Sequence, residues 1–151
     1  MPIVNVDSFS YISQNIGAHN WNKIKYLRKN RRIDPRCNFY NGGVDLNRNY
    51  GYKFAYDDKG SSNNPCSGDY RGSAPFSEPE TQAVKTIADY YKSLLVSAMH
   101  FHSWGDLWVM PFNYKKSLSY KDLQEEIPKL APSYHHFIKK SPKTKKTKKS
   151  M

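Results

Sequence analysis

The chain has 151 residues, 38% hydrophobic, 15% aromatic and 25% charged, with a formal net charge of +11. That length suits one domain, no run of 18 apolar residues is present to form a transmembrane helix, and 12 Tyr argue against disorder over most of the chain. The charge first points to nucleic acid, but seven Lys lie in residues 139–151 and seven basic residues against one acid lie in 23–36, which leaves ten basic and twelve acidic residues elsewhere.

Met1–Val6 (MPIVNV) reads as a short buried strand, and Asn5-Val6-Asp7-Ser8 as the turn that follows it. The first ten residues have neither a basic start nor an apolar stretch of signal-peptide length. Trp21–Arg32 is polar and basic and reads mostly as loop. Asn38–Gly43 and Tyr56–Pro75 are rich in Gly, Ser, Asn, Asp and Pro and also read as loops. Loops of that length in a compact domain are usually functional. Ser77 opens the clearest helix, because Ser77 with Glu80 three residues on has the form of a capping box and Pro79 suits a first turn. Val84, Ile87, Ala88, Tyr91, Leu94 and Leu95 then repeat at helical spacing and predict one apolar face. Val96–Phe101 and Leu107–Phe112 read as strands, and Tyr120–Ile138 as a second helix interrupted by Pro128 and Pro132. Strand, long loops, helix and strand in that order predict an α/β fold. The last 13 residues, KKSPKTKKTKKSM, are low in complexity and like-charged, so they read as a disordered tail.

Few residues carry chemistry on their own. His100 and His102 are two apart on a predicted strand, so their imidazoles face one way and can share a metal or simply make structural hydrogen bonds. Arg48, after the turn-rich Asn41-Gly42-Gly43, suits a bidentate grip on a carboxylate or an ordinary surface position. Arg28, Arg31 and Arg32 can bind phosphate, carboxylate or nothing. Cys37 and Cys66, the only cysteines, are either free thiols or a disulfide whose loop closure would contribute about 3–4 kcal/mol.

Taken together, the motifs are more specific. Gly43-Val44-Asp45-Leu46-Asn47-Arg48-Asn49-Tyr50 resembles the GVDxNRNW/Y signature of the zinc metallocarboxypeptidases of the carboxypeptidase A/B type. The surroundings agree in order. Pro2–Ser8 resembles the family's strand and NPDG turn, with Val6 and Ser8 as departures. Tyr26-Leu27-Arg28-Lys29-Asn30-Arg31 resembles its WRKxR segment. Pro65–Gly72 and Phe76–Thr81 resemble the entry to the next helix, and His102-Ser103-Trp104 with Met110–Tyr114 resembles HSY…YPY/F. The resemblance runs from residue 1 to about 114 and extends to 138 at most.

The resemblance implies a mixed β-sheet flanked by helices, here as an incomplete αβα domain over residues 1–138 with the Lys-rich tail 139–151 outside it. It implies zinc-dependent hydrolysis of the C-terminal peptide bond of peptides and proteins. By the same resemblance His102 matches a zinc ligand, and Arg28 the arginine that stabilises the oxyanion. Asn47 and Arg48 match the pair that holds the substrate's C-terminal carboxylate, and Ser103 and Trp104 match cleft positions joined by a cis peptide. Cys37 and Cys66 match a disulfide, and the family's location is secreted, extracellular or vacuolar. His100 matches no family role and reads as a supporting residue. The sequence contains no H-x-x-E, which in the family supplies the other two zinc ligands, and the family's catalytic Glu has no match; Glu125 and Glu126 come too early. A catalytic zinc needs three protein ligands, so this chain alone is expected to be inactive. The alternatives are a non-catalytic binder of peptide C-terminal carboxylates, or a polyanion binder acting through its basic tail. Nucleic acid is not the expected partner, because no aromatic–basic interleaving accompanies the charge.

Overall fold

The computed structural model describes residues 3–102 together with Tyr114, Lys121 and Glu125. The chain divides into two units; the second is Asp106–Met151 and the first is Met1–Gly105. Its elements are α1 (Val6–Gln14), α2 (Trp21–Ile24), a short 3-10 helix (Leu46–Arg48) and α3 (Pro79–Tyr91). Long irregular segments join them. Among the described residues there is no strand, only an isolated parallel bridge between Ser62 and Tyr70.

Two expected strands are therefore corrected. Residues 3–5 are irregular and Val6 opens a helix instead. Val6, Phe9 and Ile12 recur every three residues, a helical spacing that a six-residue window ending at Val6 does not reveal. Asp7 in the first turn also favours the helix N-terminus. Residues 96–102 are irregular and exposed, because a strand needs a hydrogen-bonded neighbour and none of the described residues supplies one. The expected strand Leu107–Phe112 and the tail 139–151 lie outside the described residues. So does the helix 120–138, apart from Lys121 and Glu125, which are both helical.

The helix over 79–91 forms as its pattern predicts, with Pro79 at its first position. Its cap differs from the expectation. Glu78, not Ser77, occupies the N-cap, and no side chain caps the helix. Ser77 Oγ instead donates to Glu78 Oε1 and accepts from Asn49 Nδ2, while the Glu80 carboxylate accepts from Asn30 Nδ2. The predicted apolar face is not buried within this unit. Ile87 and Tyr91 are about half exposed, the helix ends before Leu94 and Leu95, and the one buried residue on α3 is Thr81.

What holds the unit together is mostly polar. The buried apolar side chains among the described residues are Ile24, Val44 and Leu46. Around them lie eight buried polar ones, among them Asn30, Asp45, Asn49, Glu78 and Thr81. Buried polar groups cost free energy unless hydrogen-bonded, and these are bonded. Asn49 Nδ2 donates to the carbonyls of Arg71 and Ala74, and Asn49 Oδ1 accepts from Thr81 Oγ1 at 2.7 Å. Lys29 Nζ donates to the carbonyls of Pro65 and Ser67 at 2.7 and 2.8 Å. Burial holds the Lys29 amine below its ordinary pKa, with Asp45, Asp34 and Asp69 opposing that shift.

A disulfide joins Cys37 to Cys66 across 29 residues and ties the segment before the GVDLNRNY motif to the segment after it. Closing a loop of that length restricts the unfolded chain, which contributes about 3–4 kcal/mol in the chain-entropy account. Replacing both cysteines by serine should therefore lower the urea-unfolding free energy by about 3 kcal/mol and raise the m-value, since the unfolded chain is free to expand. A change below about 1 kcal/mol would mean that the polar network alone fixes the loops.

The acid limit of stability follows from three hydrogen-bonded carboxylates. Hydrogen bonds from Arg36 hold Asp34 down to about 2, backbone N–H groups of Gly60 and Lys59 lower Asp57, and Lys85 lowers Asp89. Groups depressed in the folded state contribute stability that is present above their unfolded pKa of 3.8 and is lost as pH falls through the folded value. The Tm should be level with respect to these groups from neutrality to about pH 4 and should fall below that. A thermal melt series from pH 6 to pH 2 measures it.

Candidate functional site

The GVDLNRNY motif forms the 3-10 helix Leu46–Arg48, and Asp45 is its N-cap. The Asp45 side chain accepts from the Asn47 N–H at 3.1 Å, which closes the turn and sets the direction in which Asn47 and Arg48 leave the backbone. Gly43, two residues earlier, has φ +88°. A Cβ there would lie 2.1 Å from the Asn30 carbonyl oxygen, so only glycine lets the segments 28–30 and 43–45 approach this closely.

That approach brings two cations onto one anion. Asp45 is 2% exposed, and its Oδ2 accepts from Arg28 Nε at 2.8 Å. Arg48 Nε lies 3.9 Å from the same oxygen, too far for a hydrogen bond. It is buried and has no hydrogen-bond partner among the described residues. The side chains of Arg28 and Arg48 remain partly exposed, at 47% and 37%. Two guanidinium groups on one buried carboxylate leave a net positive charge facing solvent. This suits an incoming carboxylate, which matches the planar fork of arginine in two bonds at once.

Of the residues expected from sequence, the structure thus gathers Arg28, Asn47 and Arg48 around Asp45. The motif resemblance assigns no role to Asp45; the signal for it in the sequence is a short acidic residue two before Asn47, the pattern of an Asx-type turn. His102 and His100 lie exposed in the irregular segment 96–102. Ser103, Trp104 and the peptide bond between them lie outside the described residues. Among the described residues no three His, Cys, Asp or Glu side chains come together as a metal site. The histidine alone does not fit zinc, which takes three protein ligands in a catalytic site.

The basic segment 23–36 is mostly engaged within the protein. Arg28 pairs with Asp45, Arg32 with Glu78 and Arg36 with Asp34. Lys29 is bound to carbonyls, and the Arg31 guanidinium lies 4.1 Å from the Phe39 ring centroid and 5.1 Å from that of Tyr11. A cavity of about 630 Å³ opens between α1 and the segment 31–42, lined by Asp7, Tyr11, Arg31, Asp34 and Phe39 among others; Arg28, Asn47 and Arg48 are not in its wall.

Comparison with known proteins agrees with the motifs. The family model for zinc carboxypeptidases matches residues 1–151. Mast cell carboxypeptidase A of Rattus norvegicus is 32% identical over 114 residues, which cover 76% of this chain and 25% of that protein. Carboxypeptidase B2 of Homo sapiens is 35% identical over 125 residues, 83% of this chain and 27% of that protein. The chain thus spans about a quarter of the length of these relatives. Among solved structures, bovine thrombin-activatable fibrinolysis inhibitor, in complex with a tick carboxypeptidase inhibitor, superposes with a TM-score of 0.63 at 31% identity, over 87% of this chain and 40% of that one. The described unit therefore has a carboxypeptidase-like fold.

Proposed function

Because this chain belongs to the zinc carboxypeptidase family, we propose that it carries the substrate-anchoring part of a carboxypeptidase and that Asn47 and Arg48 hold the C-terminal carboxylate of a peptide or protein. The observation that supports this reading is the convergence of Arg28 and Arg48 on the buried Asp45. The carboxylate keeps both cations in place, and it neutralises only one of them. The Arg48 side chain is 37% exposed, so its guanidinium is within reach of a ligand carboxylate, and a charge-assisted bond there is stronger than a neutral one. Recognition of a chain-terminal carboxylate is what makes such an enzyme an exopeptidase.

Arg28 has a second role in this reading. Its Nε is committed to Asp45, and its remaining N–H groups address the position where negative charge develops on the scissile carbonyl. A positive group fixed at that point lowers the barrier because it does not reorganise during reaction. Zinc, when bound in the family, polarises that carbonyl and a water. The sequence holds no H-x-x-E, and among the described residues no three His, Cys, Asp or Glu side chains come together to hold the metal. Hydrolysis, the central sheet of the αβα fold and the Ser103–Trp104 cleft are accordingly proposed for the whole carboxypeptidase. For the residues in hand we propose binding. The Cys37–Cys66 disulfide supports an oxidising, secreted or vacuolar setting, and no described helix is long and apolar enough to cross a membrane.

Calorimetric titration with one peptide in free-acid and C-terminally amidated forms tests the reading. The free acid should bind at least tenfold more tightly, the effect of about one charge-assisted hydrogen bond. Equal binding of the two forms, or none, would overturn it. A steep loss of binding with salt that ignores the C-terminus would favour the polyanion alternative instead.

A further inference from the structure

Arg28 and Arg48 come from segments 20 residues apart, and something must fix their spacing. Asn30 does so on one side. Its N–H donates to the Val44 carbonyl at 2.9 Å, and its Oδ1 accepts from the Val44 N–H at 2.8 Å. This two-way tie sits two residues after Arg28 and one before Asp45. The Asn30 amide is itself held from α3: its Nδ2 donates to Glu78 Oε2 at 2.8 Å and to the Glu80 oxygens at 3.2 and 3.4 Å. Glu78 is 1% exposed. Its other oxygen accepts from Arg32 and Ser77, and its backbone N–H donates to Asn49 Oδ1, on the residue after Arg48. The N-terminal turn of α3 thus grips both segments of the clamp.

We infer that Glu78, acting through Asn30, is a positioning residue that sets the spacing of Arg28 against Asn47 and Arg48, so that one substrate carboxylate meets both arginines. The inference rests on the carboxylate reading above. A buried carboxylate at this position needs a reason, since burial without full hydrogen bonding is costly. Here the carboxylate accepts from Asn30, Arg32 and Ser77, and Ser77 is itself bonded to Asn49, next to Arg48. Neither Asn30 nor Glu78 touches the ligand in this account.

The test uses the full chain and the free-acid and amidated peptides, with the ratio of the two affinities as readout. Asn30→Asp keeps the oxygen that accepts from Val44 but sets a second carboxylate oxygen against Glu78 and Glu80. Combined with Glu78→Gln it restores a hydrogen bond between positions 30 and 78, with donor and acceptor exchanged. Circular dichroism establishes that each variant is folded at the titration temperature. The ratio should fall roughly tenfold in Asn30→Asp and return to within about threefold of wild type in the double variant. If Asn30→Asp does not fold, Glu78→Gln alone decides, with a several-fold fall expected. A folded variant whose ratio is unchanged overturns the inference, as does a double variant that regains thermal stability without regaining the ratio. A wild type that does not distinguish the two peptides overturns the carboxylate reading, and the positioning role with it; a wild-type preference that survives Asn30→Asp overturns the positioning role alone.

Discussion

Replacing Gly43 by alanine should destabilise the protein by roughly 4 kcal/mol, most of the stability of a small domain at the low end of the usual range. Two terms add. The backbone at Gly43 has φ +88°, a region in which an L side chain costs about 1–3 kcal/mol. The new Cβ would also lie 2.1 Å from the Asn30 carbonyl oxygen and 3.0 Å from Asn30 Oδ1. Backbone cannot yield there without breaking the paired hydrogen bonds between Asn30 and Val44, each worth about 1 kcal/mol. Gly17→Ala separates the terms, because φ is +79° there and nothing lies within 4 Å of the added Cβ. It should show the conformational cost alone, about 1 kcal/mol. Urea denaturation of both variants measures the difference, and equal losses would mean that the close approach of segments 28–30 and 43–45 is not a constraint.

Replacing Arg48 by alanine should do the reverse, with large loss of binding and little loss of stability. Its Nε is 3.9 Å from Asp45, outside hydrogen-bond range, so removing it leaves no internal partner orphaned. A bidentate bond to a ligand carboxylate is charge-assisted at both ends, and its removal should weaken binding of a free-acid peptide by about 2–3 kcal/mol, or 30- to 150-fold. The amidated peptide should be little affected. Arg48→Lys should recover less than tenfold of the loss, since an ammonium offers a point charge rather than a fork. Full recovery by lysine would show that the site reads charge and not carboxylate geometry.

How far the sequence discloses this arrangement depends on the range of each interaction. The loops were legible because Gly, Pro, Asn and Asp act locally. The helix from Pro79 to Tyr91 was legible because its apolar residues repeat within one element. Its burial was not, because periodicity identifies a face and not what covers it. The strands expected at Met1–Val6 and Val96–Phe101 failed for a related reason: a short apolar run records hydrophobicity, and pairing needs a neighbour that the run does not encode. The capping box at Ser77 is the most instructive miss. Spacing alone allows it, but Ser77, Glu78 and Glu80 are all engaged by Asn30 or Asn49 across 28 to 50 residues. Those contacts between distant polar residues leave no periodic trace. The same holds for Asp45, whose turn with Asn47 is local and whose bond to Arg28 is not.

The most direct test of the central claim is to watch the arginines themselves. In nitrogen-15 spectra of the full chain, Arg28 and Arg48 Nε–Hε signals, assigned by single substitution to lysine, are followed as a free-acid peptide is added and again with its amidated twin. The account predicts that both signals move with the free acid and saturate together, because the ligand carboxylate binds both guanidinium groups, and that the amidated peptide leaves both in place. Shifts that are the same for the two peptides, or that arise only from arginines outside this pair, would contradict it.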